Sequence, residues 1–228
     1  MTATRPRARP AAPRPQQAQG AASPRVAAPV ATPVATKTAA PLAAKVAVLR
    51  QAGDWRRLLP GAVGLARRAA RAAVTAGLAE LAAKRSAARP VGPAAGEARP
   101  DSAGPAGLEM SVVLGDDGLL QSLNRQWRGH DRPTNVLAFA AAAMPSAGHH
   151  AAAEHRQALG EVIVSGEAIE REARTQGKSP ADHFTHLVVH GTLHLLDYDH
   201  ERPSDACRME SLERRILATL DVTDPYDA

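Results

Sequence analysis

The sequence predicts an α+β protein, a small mixed β-sheet of about four strands covered by helices. Three observations carry that prediction. Four short apolar runs, residues 46–50, 109–115, 135–139 and 159–165, have the length and composition of strands. Longer stretches with helical composition lie between and after them, so strands and helices interleave. With 228 residues and six aromatics (two Trp, two Tyr, two Phe), the chain is long enough for one domain, whose core must be aliphatic.

In chain order, residues 1–44 are rich in Ala, Pro, Arg and Thr, lack any acidic residue and show no periodic apolar face. Such a segment buries too little surface to offset its ordering entropy, so it is expected to be a disordered, inert extension ahead of a domain at 45–228. After the strand at 46–50 comes a helical region from Asp54 to about Lys84, broken near Pro60-Gly61, with Trp55 as a core anchor. Residues 85–107, rich in Ala, Pro and Gly, read as an inserted loop. A strand at 109–115, a helix at 117–127 and a strand at 135–139 follow. A second insertion spans 140–158. Then come a strand at 159–165, a helix at 167–176, a helix at 182–196 and a last helix capped by Ser204 and running to about Leu220.

Charge is uneven. Through Gly53 there are eight basic residues and no acidic one, whereas residues 90–228 hold 12 basic against 21 acidic, a net −9. The overall +5 therefore belongs to the N-terminal part. A domain of this charge does not grip nucleic acid through a broad basic surface. No apolar run approaches the ~20 residues of a membrane span. A single cysteine, Cys207, fits a reducing compartment, so the expected location is the cytoplasm, with no membrane partner.

Chemistry concentrates in His190-Gly191-Thr192-Leu193-His194-Leu195-Leu196-Asp197-Tyr198-Asp199-His200. On a helix, His190 and His194 project from one face a turn apart, and His200 lies just past its end. Three imidazoles suit Zn²⁺ with a fourth position open to water, the arrangement of a catalytic site. Zinc peptidases share this spacing but carry a general-base Glu after the first His, where this chain has Gly191. Ordinary zinc proteolysis therefore lacks its base.

Two further blocks complete a pattern: Leu123-Asn124-Arg125-Gln126-Trp127-Arg128, followed by Pro133-Thr134-Asn135-Val136-Leu137-Ala138-Phe139, and then Leu159-Gly160-Glu161-Val162. In this order, with the histidine block, they resemble the YbeY family of bacterial metal-dependent endoribonucleases, over roughly Val46 to Tyr226. The resemblance implies a zincin-like fold with the histidines on its metal helix, and one Zn²⁺ per chain held by His190, His194 and His200. It also implies a functional arginine at Arg128, cleavage of single-stranded RNA, and a role in 16S rRNA 3′-end maturation and ribosome quality control. The expected partners are thus single-stranded RNA or rRNA and ribosomal subunits, with no DNA. The chain departs from the family pattern at Ala138 (usually Ser), Ala140 (usually Pro), Glu161 (usually Asp) and Asp197 (usually Gly). If the turn at Asp197 needs positive φ, Asp is among the few residues that tolerate it.

The residues also suggest roles. Zinc held by His190 and its partners would activate water and polarise a phosphoryl oxygen, while Arg128 would pair with phosphate through its planar fork. The alternative for Arg128 is a surface salt bridge. The nucleophile stays open between metal-activated solvent and the RNA 2′-hydroxyl. Glu161, Asp197 and Asp199 are candidates to orient a ligating histidine, the alternative for the two Asp being turn chemistry. His186 either lines the site or is a partly buried neighbour. Two competing functions remain: a zincin-like peptidase or other zinc hydrolase, and a non-catalytic, zinc-containing ribosome-assembly factor.

Overall fold

The computed structural model describes residues 44–87, 107–141 and 156–227. All of the expected disordered tail (residues 1–44) except Ala44, which opens a strand, and the bulk of both expected insertions lie outside them. The elements are β1 (Ala44–Arg50), α1 (Trp55–Leu58), α2 (Ala62–Ala87), β2 (Gly107–Gly115), α3 (Asp117–Arg128), β3 (Val136–Ala140), β4 (Arg156–Ser165), α4 (Gly166–Gln176), α5 (Pro180–Leu195) and α6 (Pro203–Ala218). The strands form one mixed sheet of order β1-β2-β4-β3. The pairs β1–β2 and β2–β4 are parallel, and β3 runs antiparallel to β4.

Alternation along the strands splits the core in two. Val46, Met110, Val112, Leu114, Val162 and Val164 meet α2, α5 and α6. Val113, Leu137 and Ile163 meet Leu120 of α3 on the other face. Trp55 anchors the join of α1 to the sheet. It is 2% exposed, its ring lies 5.6 Å from that of Phe184, and its Nε1 donates to the Gly115 carbonyl at 2.9 Å.

Several boundaries differ from the sequence reading. β1 begins at Ala44, opposite Leu108, and β4 at Arg156, because pairing with β2 orders polar and small residues that local composition leaves undecided. The helix α2 runs on to Ala87, into the expected insertion, as an Ala-rich stretch with no breaker before Pro90 can. The last helix is not capped by Ser204. Its N-cap is Arg202, without a side-chain bond, because Pro203 occupies the first helical position, where its missing N–H is not needed. The break at Pro60-Gly61 stands between α1 and α2 as expected.

Candidate metal centre

Local chemistry sets the helix that carries the histidines. Ser179 caps α5 by accepting from the Asp182 amide at 3.0 Å, and Pro180 opens its first turn. The helix lies tight against the sheet at Gly191, where an added Cβ would stand 2.7 Å from Val162 Cγ1 and 3.3 Å from Val136 Cγ2. A glutamate there could enter only by displacing two β-branched side chains. The position that serves zinc peptidases as a base is thus closed here by packing, and the peptidase reading loses ground.

His190 and His194 leave α5 on one face with their Nε2 atoms 3.1 Å apart. His200 comes from the loop beyond the helix. Its ring stacks at 5.4 Å on that of His190 and lies 5.0 Å from that of His194. The turn between them does need a left-handed residue, and Asp197 takes it at φ 62°. Behind the turn, the buried Tyr198 fixes the loop. Its hydroxyl donates to the Gly77 carbonyl of α2 at 3.1 Å, and Arg208 covers its ring.

The outer nitrogens of His190 and His194 each have a partner that can only accept. His194 Nδ1 donates to the Tyr198 carbonyl at 3.0 Å, and His190 Nδ1 donates to Glu213 Oε1 at 2.8 Å. Those bonds place the protons on Nδ1 and leave the two Nε2 atoms as bare lone pairs facing each other. Two lone pairs at this distance repel unless a cation, a shared proton or a metal ion, lies between them. The donor set of His190, His194 and His200, all three within 4.8 Å of one another, therefore fits a metal ion.

Glu213 of α6 is the residue the sequence reading missed. Its side chain is fully buried, bonding His190 through one oxygen, and His186 (3.3 Å) and the Tyr226 hydroxyl through the other. Burial pushes its carboxyl upward, but the bonds from His186 and His190 prevail and hold it down at about 2. A signal was present, since Glu213 interrupts the apolar stripe Met209–Leu212–Ile216–Leu217 of α6. Of the three expected carboxylates, Asp199 lines the histidine cleft, but none bonds a ring nitrogen of the trio. Glu161 faces a separate hollow beside Lys45, Glu109 and Ser111. Asp197 is exposed, and Asp199 accepts from the amides of His200 and Glu201, which is turn chemistry.

His194 has its pKa lowered to about 4, by burial first and by its histidine neighbours second. A pKa that falls from 6.5 on folding means that the unfolded chain takes up a proton between pH 6.5 and 4 that the folded chain refuses, so stability falls as pH falls. Glu213 acts in the same sense. Its contribution is complete above 4.5 and is lost as pH drops towards 2. The metal-free protein should lose on the order of 3 kcal/mol between pH 7 and 4. Urea unfolding at a series of pH values checks this, and a midpoint that is flat or rises towards acid would contradict it.

The histidines floor a cleft of about 640 Å³, whose wall is the β3 edge from Thr134 to Ala140, including Ala138, and whose rim holds Arg128. Because β3 ends the sheet, one row of its backbone groups is left free to face the cleft. Asn135 is tied at its start by Glu172, which accepts from Asn135 Nδ2 at 2.9 Å and from His183 Nε2 at 2.8 Å. Gly160, at φ 132°, lets β3 approach so closely that any Cβ would lie 2.1 Å from the Phe139 carbonyl oxygen. Arg128 ends α3, which stops at Gly129 in the left-handed conformation. Buried Asn124 staples the following loop by donating to the Arg132 carbonyl at 2.8 Å. Among the described residues no carboxylate pairs with Arg128. His149, His150 and His155 lie outside the described residues. Among those residues no helix is long and apolar enough to cross a membrane.

The family model described as "Endoribonuclease YbeY" matches residues 91–221. A protein named endoribonuclease YbeY from Azorhizobium caulinodans is 50% identical over 122 residues, covering 54% of this chain and 73% of the relative. Its namesakes from Parvibaculum lavamentivorans and Rhodospirillum rubrum are each 41% identical over 186 residues. These alignments cover 81% and 80% of this chain, and 85% and 81% of the respective relatives.

Proposed function

The chain belongs to the endoribonuclease YbeY family, and from that premise we propose that its 45–228 region is a zinc-dependent endoribonuclease that cuts single-stranded RNA in rRNA processing, including 16S rRNA 3′-end maturation and ribosome quality control. The observation that carries the metal is the pair of bare Nε2 atoms 3.1 Å apart. That separation is close to the roughly 3.3 Å between two nitrogens bound at ~2.05 Å to a tetrahedral ion. Three imidazoles with a fourth position open to solvent are a ligand set that catalytic zinc uses.

His190, His194 and His200 would hold the ion. Zinc there supplies Lewis acidity, which makes solvent a stronger nucleophile near neutral pH and draws charge from a phosphoryl oxygen. Glu213 keeps His190 in the Nδ1–H tautomer and raises the basicity of the nitrogen that faces the cleft. Arg128, without a carboxylate partner among the described residues, offers two donors to the phosphate oxygens where negative charge gathers in phosphodiester cleavage. The β3 edge gives the nucleotide chain a wall to lie along. Arg128 is the one Arg or Lys among the described residues that line the cleft, so this arginine and the ion would supply its positive charge. RNA is the substrate class, and ribosomal subunits in the cytoplasm are the setting the reading implies.

Chelation tests it. Treatment with a strong chelator should abolish cleavage of single-stranded RNA, one equivalent of zinc should restore it, and duplex RNA should resist throughout. Full activity in protein shown to be free of metal would overturn the zinc role. Zinc binding without any cleavage would favour the assembly-factor reading.

A further inference from the structure

The chain has six aromatic residues, and four are engaged in the interior. Trp55 packs on Phe184, Tyr198 bonds Gly77, and Tyr226 bonds Glu213. The other two stand together on the α3 side of β3, the strand that walls the cleft. Phe139 lines it, and Trp127 lies against Phe139 with ring centroids 6.0 Å apart and planes tilted by 59°. Trp127 is 45% exposed. No described residue bonds its indole nitrogen. It is the residue before Arg128 on the last turn of α3, so the indole and the guanidinium leave the same helix end. The remaining apolar groups of the cleft (Val136, Ala138, Ala140, Leu195) are aliphatic and offer no flat surface.

A half-exposed indole beside an arginine that pairs with no described carboxylate needs a reason. We propose that Trp127, backed by Phe139, is a stacking platform for one unpaired base of the RNA, next to the phosphate that Arg128 receives. This rests on the endoribonuclease reading and deepens it. A base in a duplex keeps its neighbours and cannot turn onto the indole, whereas a base in a single strand is free to do so. The platform thus makes the cleft prefer single strands without reading sequence.

The test uses the zinc-loaded full chain as wild type, Trp127→Ala and Trp127→Phe. The ligands are a short 2′-O-methyl oligoadenylate and an abasic strand of equal length. Oligoadenylate should quench wild-type tryptophan fluorescence, and Trp127→Phe should abolish the quench while keeping most of the affinity. Trp127→Ala should weaken oligoadenylate binding roughly five- to one-hundred-fold, the range a base-on-aromatic contact is worth. It should leave abasic-strand binding unchanged, and KM for single-stranded RNA should rise by the same factor. Unchanged affinity, or an equal loss on the abasic strand, overturns the platform. So does a change in oligomeric state with no change in RNA binding, which would make Trp127 a protein contact. Wild type that neither binds nor cleaves RNA overturns the endoribonuclease reading and the platform together. Wild-type cleavage with an indifferent Trp127→Ala overturns the platform alone.

Discussion

His194→Ala should lose bound metal and RNA cleavage together, the largest effect expected from one side chain of this protein. The ring supplies one of the two nitrogens that face each other at 3.1 Å, and its other nitrogen is locked on the Tyr198 carbonyl, so no neighbour can swing in to replace it. Alanine leaves His190 and His200, two ligands where a tight zinc site uses at least three protein groups. Metal analysis on gel-filtered protein should fall from one equivalent to background, and cleavage should fall to the level of buffer alone. Metal retained at one equivalent would place the ion elsewhere, with the second cluster of His186, His190 and Glu213 next to be examined.

Arg128→Ala should do the opposite on the first measurement and the same on the second. The residue is exposed at the end of α3 and has no ion-pair partner among the described residues, so metal content and the urea midpoint should hold within about 0.5 kcal/mol. Losing a donor that stabilises transition-state charge should lower kcat/KM by about 10²- to 10³-fold. Arg128→Lys should recover little, because an ammonium is a point charge and cannot pair two oxygens at once. Loss of metal in Arg128→Ala would mean that the arginine props the site. Unchanged cleavage would move the charge stabilisation to another group.

What was legible in advance follows the range over which each interaction acts. His190, His194 and His200 lie within eleven consecutive residues, so helix periodicity alone brought the first two together, and the positive φ at Asp197 followed from its place at the turn. Caps were less legible: Ser204 was the expected cap of the last helix, yet Pro203 at the first helical position moves the N-cap to Arg202. Where pairing partners lie far apart in sequence, local reasoning fell short. β4 starts at Arg156 because β2 supplies its hydrogen bonds, and Glu213 meets His190 only because α6 folds back on α5 across 23 residues. The three nearby carboxylates were the natural candidates to orient the ligands. The fold chose a distant one because a buried carboxylate, dry and bonded by two histidines, holds an imidazole more firmly than one in an exposed turn. The peptidase alternative was weakened from the sequence by a missing base. The crowding of Val136 and Val162 at Gly191 supplies the steric reason.

The way Glu213 and the Tyr198 carbonyl grip the backs of two imidazoles has one more consequence. Small zinc-stapled modules assemble only when the ion arrives, so removing it unravels them. Here the sheet, the Tyr198 anchor on α2 and the buried carboxylate have already paid the entropy of arranging the ligands, and the ion is a guest in a finished socket. The emptied protein should therefore keep its fold near neutral pH and be recharged without a refolding step.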